Sequence, residues 1–81
     1  MSESKNNSTS FVLLTCNETK RNNVIKELKS IPHISDVIPV QGIYDVLVQI
    51  NIPHEQIRNM VNTKIRYIDG VNSTLTLIDS N

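Results

Sequence analysis

Apolar and polar positions alternate along the chain in a pattern that predicts defined strands and helices. An apolar run over residues 11–16 is typical of a buried strand. Thr19 is a candidate N-terminal cap for a helix. Pro32 ends that helix, because the residue before a proline disfavours helical backbone. The apolar stripe of the helix recurs at helical spacing, at Val24, Ile25, Leu28 and Ile31.

The middle of the chain predicts two strands joined by a turn. Residues 34–41 read as a strand, and Pro39 within it predicts an edge strand or a bulge, because proline cannot donate to a sheet ladder. Residues 41–43 mark a turn that contains Gly42. Residues 44–52 then alternate between apolar and polar positions, which predicts a third strand.

The last part of the chain predicts a second helix and a fourth strand. Pro53 suits a helix start, and Gly70 suits a left-handed cap at its end. Residues 71–78 alternate again and predict the final strand. The apolar stripe of this second helix comprises Ile57, Met60, Val61, Ile65 and Ile68.

An internal repeat relates the two halves of the chain by a shift of 37 residues, as from Val24 to Val61. Two split βαβ units with right-handed crossovers predict an α+β fold, the ferredoxin-like βαββαβ sandwich, with an antiparallel sheet and both helices on one face. The other matched pairs are Leu28 with Ile65, Ile31 with Ile68, Ile34 with Val71, Ile38 with Leu75, and Val40 with Leu77.

Apolar residues occur on both faces of the predicted strands, although the helices cover only one face. Leu47 and Ile78 point away from the main apolar sets of their strands. An exposed apolar patch of this kind usually marks an interface, so we expect a twofold dimer through the open sheet face. The clearest case is the first strand, where Val12, Leu14 and Cys16 alternate with Phe11, Leu13 and Thr15.

Composition narrows the functional classes. A chain of 81 residues holds one small domain, which is marginally stable alone, so self-association is favoured. Lysine and arginine total 8 and aspartate and glutamate total 8, so no global positive charge attracts nucleic acid. No apolar run reaches the roughly 18 residues of a membrane span. With one cysteine, Cys16, and no apolar signal stretch, we expect a cytoplasmic protein with no membrane partner.

The ends of the domain are also predicted from composition. Residues 1–10 contain no apolar residue after Met1, and we expect a disordered polar tail there, because such a segment cannot offset its ordering entropy by burial. The folded domain is expected over residues 11–81.

Two motifs resemble the effector-binding domain of the Lrp/AsnC family, also called the RAM domain. Gly42-Ile43-Tyr44-Asp45 matches that family's Gly-x-Tyr-Asp turn. Ile68-Asp69-Gly70-Val71-Asn72-Ser73-Thr74-Leu75-Thr76 is similar to its closing segment, in which Gly-Val precedes a strand that bears threonines. The resemblance covers about residues 11–79 and departs from the family at His33, where glycine is frequent.

The resemblance implies a stand-alone effector domain that acts in transcriptional regulation without its own helix-turn-helix. It implies a homodimer built through the sheets that assembles further into rings or octamers, with an amino-acid effector between dimers and no cofactor. A full-length Lrp/AsnC regulator is a further implied partner, whereas direct nucleic-acid contact is not expected. Carried over residue by residue, the ligand-binding candidates are Gly42, Tyr44, Asp45, Ser73, Thr74 and Thr76.

Plainer structural roles compete with each of these candidates. Gly42 can serve only to supply a positive φ in the turn, and Asp45 can serve only to cap it. Tyr44 shares the alternation of the third strand, which favours packing. Ser73 can serve in pairing between strands. The main functional alternative is therefore a structural oligomerisation module that binds no ligand.

Metal binding, RNA binding and catalysis are weaker alternatives on this topology. Cys16, His33 and His54 are scattered, with no Cys-x-x-Cys pair, so no metal site is expected and Cys16 is interpreted as a small buried hydrophobe. Three aromatic residues without a basic-aromatic motif do not suit base stacking. No convergent carboxylate pair, serine-histidine-acid set or phosphate loop occurs, so we predict no catalytic residue and no enzyme activity.

Overall fold

The computed structural model describes residues 9–78. The predicted polar tail therefore lies almost entirely outside the described residues, as does the end of the domain after residue 78. The first strand begins at Ser10, one residue before the predicted start, and the Ser10 side chain is fully buried. No helix within residues 9–78 has the length and apolar character needed to cross a membrane.

Four strands and two helices follow one another in the predicted order. The α1 helix is preceded by a single 3-10 turn, and α2 continues directly into a π-helical segment. The sheet has the order β2-β3-β1-β4 and all three neighbouring pairs are antiparallel, which confirms the ferredoxin-like α+β fold. The elements are β1 Ser10–Cys16, the 3-10 turn Glu18–Lys20, α1 Arg21–Lys29, β2 Ile34–Pro39, β3 Val46–Ile50, α2 His54–Met60, the π-helical segment Val61–Ile65 and β4 Val71–Ile78.

One continuous core lies between the helices and one face of the sheet. The inward-facing residues of β1 and β3 are buried, as the alternation predicts, and both helices contribute to the same cluster. Burial of these side chains is the main favourable term in the folding of so small a domain. The fully buried apolar members are Val12, Leu14, Val24, Leu28, Val46, Val48, Ile50, Ile57 and Ile65.

The internal repeat is visible in the burial of equivalent positions. Leu28 and its counterpart Ile65 are both fully buried. Ile38 and Leu75, on the uncovered face, are 40% and 43% exposed respectively. The two halves therefore place equivalent residues in equivalent layers of the fold.

Element boundaries differ from the predicted ones for identifiable reasons. Asn17, and not Thr19, caps the turn that leads into α1, because the Asn17 side chain accepts a hydrogen bond from the Thr19 backbone N–H. The third strand begins at Val46, two residues later than predicted. A register irregularity between Ile34 and Asp36 brings Ile34 against the core instead of leaving it on the outer face with Ile38.

Three turn residues in the described part of the chain have positive φ. Gly42 has a φ of +129° and Gly70 a φ of +107°, which agrees with the turn and cap roles predicted for them. His33, at the position where the family often has glycine, has a φ of +74°. Pro39 ends an edge strand, where its missing donor costs no ladder hydrogen bond.

Candidate functional site

The Gly-x-Tyr-Asp turn connects β2 to β3 at one end of the sheet. Gly42 is exposed, and a Cβ atom built on it meets nothing within 4 Å. Glycine is therefore favoured there by backbone conformation and not by close packing. Tyr44 and Asp45 are both half-buried immediately before β3.

Asp45 is held firmly against the end of β1. Its backbone N–H donates to the Leu14 carbonyl at 2.9 Å, and its Oδ2 accepts from the Cys16 backbone N–H at 2.9 Å. The last β1–β3 pair joins Leu14 to Val46, and the Asp45 carboxylate extends the contact between these strands to Cys16. This bond satisfies the Cys16 N–H, so Asp45 has a structural role whether or not it also contacts a ligand.

Arg21 fixes the other side of the turn, a role that no pattern in the sequence indicates. Its Nη2 donates to the Val40 carbonyl at 3.2 Å and to the Asp45 carbonyl at 3.4 Å. The first residue of α1 therefore ties the helix to both flanks of the turn. The arginine Nε is buried without a hydrogen-bond partner among residues 9–78.

The Cys16 thiol lies in this same environment. Burial raises the pKa of the Cys16 thiol, the Asp45 carboxylate raises it further, and the Arg21 guanidinium opposes the shift. The thiol is therefore neutral at physiological pH. This agrees with the interpretation of Cys16 as a small core residue, since it is only 8% exposed.

The three candidates on β4 point to opposite faces of the sheet. Ser73 lies on the outer face, where its Oγ is 2.7 Å from Thr15 Oγ1. Thr74 and Thr76 lie on the helix-covered face and are half-buried. Within one chain, β1 separates these residues from the Gly-x-Tyr-Asp turn, and none of the cavities formed by the described residues is lined by both sets.

Thr74 and Thr76 line a cleft of about 370 Å³ between β4 and the second helix. Arg58, Asn62 and Arg66 supply most of its remaining polar groups, and Ile57 and Val61 complete the lining. The threonines are among the residues predicted from the sequence, whereas the two arginines are not. The internal repeat is the sequence feature that could have indicated these arginines, because it aligns each position of the second helix with one of the first.

A more apolar groove of about 420 Å³ lies between the end of α1 and α2. Ile31, Ile52 and Met60 contribute apolar surface, and His33 lies at its margin. Within the described range, His, Cys, Asp and Glu side chains nowhere form a group of three or more that could hold a metal ion.

Six of the described apolar side chains lie on the uncovered face of the sheet, and we call them the apolar sheet patch. Strand register places Ile38 beside Leu47, Leu47 beside Leu13, and Leu13 beside Leu75, so one apolar row crosses all four strands. A second row pairs Phe11 with Leu77, which is 45% exposed. The patch comprises Phe11, Leu13, Ile38, Leu47, Leu75 and Leu77.

Comparison with solved structures identifies close structural neighbours. TTHA0845 from Thermus thermophilus superposes with a TM-score of 0.85 at 24% identity, covering 91% of this chain and 94% of that one. AsnC from E. coli superposes with a TM-score of 0.84 at 17% identity, covering 100% of this chain and 58% of that one.

A third neighbour was solved with an amino acid. It is the transcriptional regulator NMB0573 of Neisseria meningitidis in complex with L-Met, which superposes with a TM-score of 0.82 at 12% identity and covers 95% of this chain and 52% of that one. No protein-family model matches this chain, and no curated protein matches it by sequence.

Proposed function

Because this chain has the fold of an Lrp/AsnC-type effector-binding (RAM) domain, we propose that it is a stand-alone domain that binds a small metabolite and self-associates in transcriptional regulation. The ligand class proposed is an amino acid. The observation that carries the proposal is the apolar sheet patch, which crosses all four strands on the face that no helix covers.

The patch supports a twofold dimer through the sheets. Ile38, Leu75 and Leu77 remain 40–45% exposed in the single chain, and they adjoin three half-buried apolar neighbours. Burial of contiguous apolar surface is the usual driving force of stable association. A twofold axis at the patch would pair each row with its copy and leave both helix layers outside.

Two observations support an amino-acid ligand. NMB0573, which has this fold, was crystallised with L-Met. In addition, β1 separates the two sets of candidate residues within one chain, and a ligand that lies between dimers takes its contacts from more than one chain. We propose that assembly brings together Gly42, Tyr44 and Asp45 from one chain and Ser73, Thr74 and Thr76 from another.

Ligand binding at such a junction would control assembly by linkage. A ligand that binds the assembled state better than the free dimer shifts the population toward that state. The proposed partners are accordingly further copies of this chain, in a ring or octamer, and a full-length Lrp/AsnC regulator in a mixed assembly. TTHA0845 supports a stand-alone role, because that chain matches this one over nearly its whole length. We propose a cytoplasmic location for this activity.

The experiment compares two substitutions of one residue. Asp45→Asn retains an oxygen that can accept from the Cys16 N–H, whereas Asp45→Ala leaves that part-buried donor unpaired at a cost of about 1–3 kcal/mol. Thermal unfolding by circular dichroism with each of the twenty amino acids at millimolar concentration identifies the ligand of the parent chain. Asp45→Asn is expected to keep the parental Tm without ligand and to lose most of the ligand-induced increase.

The outcomes separate the two candidate functions. A ligand at about 100 times its Kd adds roughly 2.7 kcal/mol, and about 1 kcal/mol moves the Tm of so small a domain by some 4–8 °C. A Tm unchanged across the whole panel, together with concentration-dependent assembly in analytical ultracentrifugation, would support the structural oligomer instead. If the ligand raises the Tm of Asp45→Asn as much as that of the parent chain, the Asp45 carboxylate charge is not part of the ligand site.

A further inference from the structure

The cleft between β4 and the second helix breaks the internal symmetry of the chain. The shift of 37 residues maps Asn62 onto Ile25 and Thr74 onto Val37. In the first half, Val37 is buried and Ile25 packs against the core. In the second half, both positions are polar and line the open cleft of about 370 Å³. The apolar version shows that the fold does not require polar residues there.

The charges of the two depressions differ as well. A smaller depression of about 260 Å³ in the first half contains one cation, Lys29, at the position that corresponds to Arg66, together with one carboxylate, Asp36. The larger cleft is lined by Arg58 and Arg66 and, as far as residues 9–78 are concerned, by no acidic side chain. The first depression is therefore balanced in charge, whereas the cleft carries two positive charges.

Arg58 and Arg66 differ from Arg21, the arginine of the first helix, in their hydrogen bonds. The shift maps Arg58 onto Arg21, whose guanidinium donates to the Val40 and Asp45 carbonyls. Across residues 9–78, neither Arg58 nor Arg66 forms a salt bridge or a side-chain hydrogen bond, and the single ion pair joins Lys20 to Asp69. Among the described residues, nothing therefore occupies the donors of either guanidinium group, which leaves them for a ligand.

The remaining lining suits a small polar molecule. Thr74, Thr76 and Asn62 supply hydroxyl and amide groups that both donate and accept hydrogen bonds. Asn62 belongs to the π-helical segment, and such segments occur frequently at functional sites. The cleft lies on the helix side of the sheet, so a dimer formed through the apolar sheet patch leaves it open.

We infer that this cleft selects a dicarboxylic amino acid, with Arg58 and Arg66 binding carboxylates and the threonine and asparagine oxygens accepting from the ammonium group. The inference rests on the proposed function, because it specifies the class of amino acid that the domain binds. Guanidinium groups bind carboxylates through charge-assisted and often bidentate hydrogen bonds. The described lining of the cleft is net positive, so it repels cationic ligands, and a neutral ligand lacks the charge-assisted hydrogen bonds that a second carboxylate forms.

Isothermal titration calorimetry on the full 81-residue chain tests this with matched ligands. L-glutamate is compared with L-glutamine, L-aspartate with L-asparagine, and 2-oxoglutarate serves as a dicarboxylate that lacks the ammonium group. The acid of a pair is expected to bind about tenfold tighter than its amide, the ratio that one charge-assisted hydrogen bond of about 1.4 kcal/mol supplies.

Three substitutions test whether the arginines of the cleft cause this preference for the acid over the amide. Arg58→Gln and Arg66→Gln are each expected to weaken binding of the acid about tenfold while changing binding of the amide less than about twofold. Lys64→Gln is the matched control, because it removes the same charge from the same stretch of helix but lines the apolar groove instead of the cleft. It is expected to leave both affinities unchanged.

The outcomes distinguish failure of this inference from failure of the proposed amino-acid function on which it rests. Tighter binding of the amides, or parental affinity for the acids in both arginine variants, overturns the assignment of the cleft and leaves the amino-acid function standing. Binding of 2-oxoglutarate without binding of any amino acid retains the anion-selective cleft but refutes the amino-acid function. Absence of binding by every member of the panel and by the other amino acids refutes both.

Discussion

Leu75→Ala is a direct test of dimer formation through the apolar sheet patch. Leu75 lies in the row that crosses all four strands and remains 43% exposed in the single chain. Complete burial of a leucine side chain contributes about 1.5–3 kcal/mol, so the exposed fraction accounts for about 0.6–1.3 kcal/mol when a partner covers it. A twofold interface contains the residue twice, which doubles the effect to about 1.3–2.6 kcal/mol.

This free energy converts into a measurable change in the dimer dissociation constant. At about 1.4 kcal/mol per factor of ten, Leu75→Ala is expected to weaken the dimer by roughly 8- to 70-fold. Sedimentation equilibrium over a concentration series measures this constant. Tyr67→Ala is the control, because Tyr67 is 81% exposed and follows the π-helical segment on the helix side of the molecule.

Circular dichroism of the Leu75→Ala variant separates association from folding. A variant with native secondary structure and a raised dissociation constant is the expected result. If Leu75→Ala dimerises within about twofold of the parent while Tyr67→Ala dissociates, the interface lies on the helix side and the argument from the open sheet face is wrong.

The remaining predictions concern the turns and the thiol. Gly70→Ala should lower the Tm more than Gly42→Ala, because both have positive φ but only at Gly70 would the new Cβ lie 2.8 Å from Lys20 Cβ; thermal unfolding of the pair measures the difference. Cys16 should react slowly with an alkylating reagent at pH 8.5 in the folded chain and rapidly in denaturant, because its pKa is raised; equal rates would contradict this. The same shift predicts stability that is complete below the pKa of the unfolded thiol and declines above it.

The core could be predicted because one-sided burial imposes a period on the sequence. Val12 and Leu14 alternate with Leu13 along β1, and the structure buries the first two completely. The apolar sheet patch was predictable for the same reason, because apolar residues also recur on the strand face that the two helices leave uncovered. Topology followed from the repeat, because two similar units allow few arrangements.

Local hydrogen bonds explain the parts that could not be predicted. The start of β3 depends on the Asp45 carboxylate, which takes the place of a backbone acceptor for Cys16. The cap of the turn before α1 could be either Asn17 or Thr19 from the sequence, and it is the Asn17 side chain that accepts the capping hydrogen bond. The π-helical segment leaves no trace in the apolar stripe, because its buried residues, Val61 and Ile65, are four positions apart, as in the stripe of an α-helix.

Only part of the candidate site was accessible from the sequence. The turn at Gly42 and Asp45 was identified as a local motif, and the structure confirms its backbone conformation at Gly42. The cleft was not identified, because it forms where β4 meets a helix that precedes it along the chain. Arg58 and Thr76 are neighbours only after the sheet is assembled.

The pairing of the first strand with the last determines where the folded domain can be joined to other polypeptides. Ser10 is the register partner of both Ile50 and Ile78, so the first and last described strands start and finish side by side. A short linker from residue 78 to residue 10 would form a hairpin between β4 and β1. A circular permutant with new termini at the exposed turn around Gly42 would retain every strand pair. Polypeptides joined directly before residue 10 and directly after residue 78 would start from the same end of the sheet.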